Sequence, residues 1–274
     1  MDKIVQSLGT PQMIAALEAN MEEEMICFGR GLAGGEIYDD GEVEGFFTGR
    51  GYLNGILRTH LHRQEKAYIE NKIKQVLRYF QKKGIQEIGW SVGTDCQPTD
   101  MLEYLKRHEF QEQREANLGM ALDMLEMQVE INRVTDLVIQ EIEKPDGLNV
   151  IKQLEITCFG SSEELAQDYC EMYTGVGFGR GTAWRHFCGW QQGEPVASTS
   201  LLFHAGVAGL FGVATAPQAR RQGIARAMVL HAIKQARHAG YRIAILSPTD
   251  MSEGIYRRLG FRAYTQIRHF TYEW

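Results

Sequence analysis

Leu210-Phe211-Gly212-Val213-Ala214-Thr215-Ala216-Pro217-Gln218-Ala219-Arg220-Arg221-Gln222-Gly223-Ile224-Ala225 is the stretch on which the reading of this chain turns. Its first six residues close a strand that begins at Val207, and Pro217 breaks that strand. Gly223 then opens a run with helical apolar spacing that continues to Ala239 and is stopped by Gly240. A helix start offers backbone N–H groups with no partner in the helix, and the positive end of the helix dipole. Gly223 and Ala225 are small enough to let a diphosphate approach this backbone, while Arg220, Arg221 and Arg226 can add charge-assisted bonds to its oxygens. An ordinary strand-to-helix turn with surface arginines has the same residues, so the surroundings must decide.

The charge distribution favours an anionic ligand. From Gln218 to Trp274 ten Lys or Arg face three acids, in a chain whose net charge is -6. Such asymmetry suits a small polyanion on an otherwise acidic protein and argues against nucleic acid as the main partner. Hydrophobic residues at 44% and charged ones at 23% exclude disordered and fibrous classes. The length of 274 residues suggests about two domains. No apolar run is long enough to span a bilayer, and Met1-Asp2-Lys3-Ile4-Val5-Gln6 lacks the pattern of a signal peptide, so a cytoplasmic location is expected. Cys27, Cys96, Cys158, Cys170 and Cys188 are odd in number and without paired spacing, as reduced and mostly buried thiols would be. His60 and His62 alternate without a third ligand, and no metal site is expected.

Working outward from the loop, the spacing predicts strands over 184–190, 196–203 and 241–247, and a short helix through Tyr256 with strands after Phe261. Before them come a strand over 134–143 and two helices, the second introduced by Ser161 with Glu164 three residues on as a capping box. The first half shows a helix over 12–26, strands over 44–48 and 51–57, a helix over 64–83, a strand over 85–92, a short helix over 100–108 and a strand over 118–125. A boundary is expected between 1–125 and 126–274, with the second part starting near Asn132.

The two halves resemble each other. Helix, glycine stop at Gly84, strand, short helix with Tyr104 and then Phe110 in the first half parallel helix, Gly240, strand, Tyr256 and Phe261 in the second. Two copies of one fold follow. The first copy has Thr59-His60-Leu61-His62-Arg63-Gln64 where the second has its arginine–glycine loop, so it is the degenerate copy.

With these features in place, the second half resembles the GNAT superfamily of N-acyltransferases. Arg220, Gly223 and Ala225 fill the fixed places of that family's acetyl-CoA loop, and Tyr256 with Gly260-Phe261 reproduces its downstream pattern. The whole chain resembles tandem GNAT proteins through Thr48-Gly49 and Asn54-Gly55-Ile56-Leu57. The resemblance implies an α/β (α+β) chain of two GNAT-like domains, each a mixed, mostly antiparallel twisted sheet flanked by helices. It implies an acetyl-CoA-dependent N-acetyltransferase acting on a primary amine of a small molecule or peptide by direct attack. Val213, Ala214 and Thr215 would hold the pantetheine, and Arg220, Arg221, Gln222, Gly223, Ile224, Ala225 and Arg226 the pyrophosphate. Tyr256 would be the general acid. Thr249 stands where some members use an asparagine toward CoA. No carboxylate lies between Val207 and Thr215, where several members carry a glutamate base near Gly209; His204, Asp168 and Glu171 stay open for that role. The glycine-rich segment 173–181 is expected to be mobile and to meet the acceptor. The missing glutamate keeps a non-catalytic acyl-CoA-binding regulatory module as the alternative, whereas a dinucleotide oxidoreductase lacks its glycine spacing and acidic ribose ligand.

Overall fold

A computed structural model describes residues 3–114, 116–127 and 134–274. In chain order its elements are α1 (Pro11–Gly31), β1 (Glu36–Asp39), β2 (Val43–Phe47), β3 (Gly55–Thr59), α2 (Lys66–Lys82), β4 (Glu87–Val92), α3 (Met101–Arg107), β5 (Gln111–Glu112) and β6 (Asn117–Asp123). There follow β7 (Leu137–Ile142), α4 (Leu148–Phe159), α5 (Glu163–Val176), β8 (Trp184–Gln191), β9 (Glu194–His204), β10 (Val207–Thr215), α6 (Ile224–His238), β11 (Ile243–Leu246), α7 (Asp250–Arg258) and β12 (Arg262–Glu273). The expected start of the second part near Asn132 lies outside the described residues. Two compact units result, Met25–Leu118 with Thr265–Trp274, and Met1–Glu24 with Gly119–Tyr264.

In the smaller unit β1, β2 and β3 pair antiparallel, β3 and β4 pair parallel across the helix α2, and β12 adds antiparallel to β4. The helix buries Ile69, Ile73, Val76 and Phe80, spaced three and four apart, against a core that includes Ile56, Ile88, Trp90 and Phe270. Thr48 and Asn54, both buried, lock the turn between β2 and β3. The Asn54 Oδ1 accepts from the Thr48 N–H at 2.8 Å and from its hydroxyl at 3.0 Å, while Asn54 Nδ2 donates to the Arg50 carbonyl at 3.1 Å. A carbon added to Gly49, whose φ is +74°, would meet Gly34 backbone at 2.8 Å. The motif that carried the tandem resemblance is thus a turn-holding network. That network also explains why the strand expected from residue 51 begins only at Gly55.

In the larger unit β7, β8, β9 and β10 form an antiparallel run, β10 and β11 pair parallel across α6, and β6 lies antiparallel to β11. The connectivity repeats that of the smaller unit, including the left-handed glycine that ends the crossover helix, Gly84 at φ +73° and Gly240 at φ +90°. Each sheet is completed by a strand from the other half of the sequence: β12 stands beside β4, and β6 beside β11. Neither unit is therefore continuous in sequence. Three further differences from the sequence reading are local. The strand β1 had no sequence signal, the segment after Phe261 is one strand of twelve residues, and α5 is capped by Ser162, whose hydroxyl accepts from the Leu165 N–H at 3.1 Å. Among the cysteines four are buried, Cys158 is partly exposed, and all five are free.

Replacing Asn54 by alanine strips a buried turn of its acceptor and leaves the Thr48 N–H unpaired. The expected cost is about 2 kcal/mol in urea unfolding; a variant within a few tenths of the wild type would show that the turn is held by its glycines alone.

Candidate active site

The site begins with a parting of strands. β10 and β11 are paired over Ala208–Ala244 and Gly209–Ile245 only; β11 stops at Leu246 while β10 runs on to Thr215. The edge of β10 facing β11 is therefore unpaired among the described residues from Leu210 onward. On its other edge β10 bulges between Phe211 and Ala214, where Gly212 takes φ +53° and its carbonyl accepts from the Ser198 hydroxyl at 3.1 Å. Unpaired strand groups accept an extended chain with amide groups as a further strand would be accepted. The Thr215 hydroxyl oxygen is buried without a partner, a polar atom left over at this edge.

Pro217–Ala219 forms a single 3-10 turn that leads to the loop, in which Arg221 at φ +63° and Gly223 at φ +81° are both left-handed. No side chain caps α6, and the Ala227 N–H bonds back to the Gly223 carbonyl at 3.0 Å. The N–H groups of Ile224 and Ala225 precede that ladder. Arg221 and Gln222 are exposed and Gly223 is open, with a carbon added to it meeting nothing nearer than Val134 at 3.7 Å. Arg220 is exposed and donates from Nε to the Thr215 carbonyl at 3.1 Å, tying loop to strand. Ala225 and Arg226 are half-buried at the helix start. These residues make an uncapped, positively flanked helix N-terminus at the end of a parted strand, a cradle for a diphosphate.

Thr249 and Tyr256 lie on the helix after β11. The Thr249 N–H donates to Ser252 Oγ at 3.0 Å and the two hydroxyls are 3.0 Å apart, so Thr249 serves the start of α7. Tyr256 is buried, its ring edge-on to Phe261, and burial pushes its phenol up to about 12. It is a proton donor at any physiological pH.

The sequence reading missed the carboxylates of this region. Gly209 offers no place for one, because a carbon added there would lie 2.1 Å from Asn20 Oδ1. Asn20 is fully buried and its Nδ2 reaches the carbonyls of Leu202, His204 and Val207 at 3.1–3.4 Å. One turn further along α1 is Glu24, on the same face. On α4, Leu154 clusters with Ala214 and Ala216, which places α4 over the end of β10. Next to it is Glu155, whose Oε1 is 3.6 Å from the position of a carbon added to Gly212. Burial raises Glu155 to about 7, and burial with the charge of Glu155 raises Glu24 to about 8. A periodicity search cannot find them, since each sits among apolar helix positions far apart in sequence.

Of the open candidates for a base, His204 stands at the far end of the β9–β10 hairpin, 4.0 Å from Glu23, and Glu171 is exposed and bonded to Gln167 at 3.2 Å. Asp168 is buried on α5. The segment expected to be a mobile acceptor loop is pinned: its first residues complete α5, and the Gly179 N–H donates to the Trp184 carbonyl at 2.8 Å. No group of three or more His, Cys, Asp or Glu suited to a metal occurs among the described residues, and no helix of theirs is long and apolar enough to cross a membrane.

Comparison with known proteins bears on the family and the fold. Residues 148–261 match the model of the acetyltransferase (GNAT) family. A search of curated protein sequences gives no match. Among solved structures, the chain is similar to a GCN5-related N-acetyltransferase from Kribbella flavida, with a TM-score of 0.72 at 15% identity over 97% of this chain and 96% of that one. It is also similar to a tandem GNAT protein from the clavulanic acid biosynthesis pathway, with a TM-score of 0.66 at 13% identity over 96% and 94%. A third, a GCN5-related N-acetyltransferase from Sphaerobacter thermophilus, has a TM-score of 0.65 at 15% identity over 96% and 92%. At such identities the likeness is one of fold, and it extends to the tandem arrangement.

Two measurements test the site. The folded chain retains protons on Glu24 that the unfolded chain releases from about pH 4.5, so ionising it weakens the fold progressively up to about pH 8. Glu24→Gln should match the wild-type Tm at pH 4 and exceed it increasingly between pH 5 and 8; a constant difference would mean that Glu24 is not desolvated. Gly223→Glu has room for its side chain, strains a backbone at φ +81° and puts a carboxylate at the helix start, and calorimetry should detect no acetyl-CoA binding to the folded variant.

Proposed function

We propose that the chain, whose residues 148–261 match the model of the acetyltransferase (GNAT) family, is an acetyl-CoA-dependent N-acetyltransferase that transfers acetyl to a primary amine by direct attack. The observation that carries this reading is the parted edge of β10 ending at the uncapped start of α6. In this reading pantetheine lies along Val213, Ala214 and Thr215 as an added strand, and its pyrophosphate rests on the loop from Arg220 to Arg226. Arg221 is free to turn toward phosphate, while Arg220 acts chiefly by holding the loop to Thr215. Only the second copy, expected over 126–274, binds acetyl-CoA; the degenerate first copy, 1–125, has no such loop. The protein acts in the cytoplasm on acetyl-CoA and a soluble amine, without metal, nucleic acid or membrane.

Tyr256 is the general acid of this reading. Its phenol keeps its proton and can give it to the departing thiolate. The absence of a carboxylate on β10 favours one rival, a module that binds acyl-CoA without turning it over. Thioester cleavage in the presence of amines separates the two.

Calorimetry on the full chain should give one acetyl-CoA site. Tyr256→Phe keeps the ring against Phe261 and removes the donor, so kcat should fall by about 10²-fold with little change in acetyl-CoA affinity. Two equal sites would remove the degenerate-copy reading, and full turnover in Tyr256→Phe would move the acid elsewhere.

A further inference from the structure

The surroundings of Glu24 and Glu155 define what the acceptor must look like, given the acetyl-transfer reading above. Glu24, Glu155, Tyr169, Phe178 and Phe211 all keep partial solvent access, and behind them is a closed layer of Tyr173, Trp184 and His186. Ring contacts join the layers: Tyr169 to Tyr173 at 6.0 Å, Phe178 to His186 at 5.3 Å and Phe211 to Trp184 at 5.6 Å. Burial raises the phenols of Tyr169 and Tyr173, and the two carboxylates both add to the rise. Aromatic faces and carboxylates thus gather beside the bulge at Gly212, as the walls of a recess would.

Its charges are unbalanced. No hydrogen bond or ion pair holds Glu24 among the described residues, and Glu155 has only the Ser161 hydroxyl at 3.4 Å. Among the described residues the groups that bear on the pair are each other, Tyr169, Tyr173, Ser161 and the Cys158 and Cys170 thiols; Arg220 reaches Cys158 from the loop, but no described lysine or arginine acts on either carboxylate. Independently, His186 Nε2 is fully buried without a partner in the layer behind, its Nδ1 being 2.7 Å from Ser200 Oγ. Two buried carboxyl groups among aromatic faces, with no basic partner of their own, ionise to receive a cation and gain nothing from an anion.

We propose that Glu155 is the base of the reaction, that Glu24 holds the acceptor's ammonium, and that the recess selects amines on an aromatic or apolar body with no carboxylate beside the nitrogen. The ammonium gives one proton to Glu155, which passes it to water. The neutral nitrogen attacks the thioester carbon, forming the C–N bond as the C–S bond breaks. The thiolate takes a proton from Tyr256, and the nitrogen's second proton restores the phenol, leaving amide, CoA thiol and one proton in solution. A carboxylate two bonds from the nitrogen would stand in the same recess as Glu24 and Glu155, where like charge is strongly disfavoured.

The test uses the full chain, acetyl-CoA, and 2-phenylethylamine and tyramine against phenylalanine and tyrosine, following release of CoA thiol. The two amines should exceed their carboxylated counterparts in kcat/KM by about 100-fold or more. Glu155→Gln should lose about 10²-fold in turnover at pH 7 while binding acetyl-CoA as before. The wild-type rate should rise with pH through about 7 as Glu155 ionises. In Glu24→Gln that rise should stay near pH 7, because Glu24 is still protonated while Glu155 ionises, and KM for the amines should increase. Equal use of amino acids and amines, no turnover of either amine by a chain that binds acetyl-CoA, or full turnover in Glu155→Gln overturns this inference alone. A wild-type chain that does not bind acetyl-CoA overturns the acetyl-transfer reading as well.

Discussion

The parting of β10 from β11 after two residue pairs is the constraint around which the larger unit is arranged. Strand groups inside a sheet are ordinarily paired, and those left open where strands part are available to water or to an added extended chain. The bulge at Gly212 tilts the strand at that point, and Ser198 takes up the carbonyl that the irregularity frees. Arg220 then fastens the loop to Thr215, so that the helix start follows the strand at a fixed distance. Tyr256 comes from the first helix after β11, where its ring packs edge-on to Phe261. The strand edge, the uncapped helix start and Tyr256 thus belong to two consecutive strand-to-helix connections.

The carboxylates show a second compromise. Holding Glu24 and Glu155 away from water, and near each other, works against the stability of the fold at neutral pH. The residues that keep them there are otherwise structural. Asn20 fixes α1 through three carbonyls, and the apolar contacts of Leu154 with Ala214 and Ala216 set α4 on the strand. Groups kept at a cost in stability are the ones for which a use is to be sought.

How much of this was readable beforehand follows from the range over which each signal acts. The loop from Arg220 to Ala225 was legible because proline, glycine and arginine spacing are properties of neighbours, and so were α2, α6 and the hairpin β8–β9, each with a strong period. The four-residue β1 was not, since Glu36–Asp39 has no alternation and is held by pairing with β2. The cap at Ser162 was missed by one residue because two serines stand side by side and only backbone geometry selects between them. Glu24 and Glu155 lie on helices 131 positions apart, and their meeting is a tertiary fact. Equally tertiary is the identity of the strands that complete each sheet.

That last feature bears on how the chain is made. When residues 25–118 leave the ribosome, β4 has β3 on one side and nothing on the other, because its second neighbour is more than 140 residues away at Thr265–Glu273. In the same interval β6 has been synthesised but its partner β11 has not. Each half must therefore wait with an open strand edge for a segment of the other, and the waiting edges invite wrong partners on crowded polysomes. The two halves repeat one connectivity, and the exchange of strands ties their maturation into one event, so that neither half can finish folding before nearly the whole message has been read.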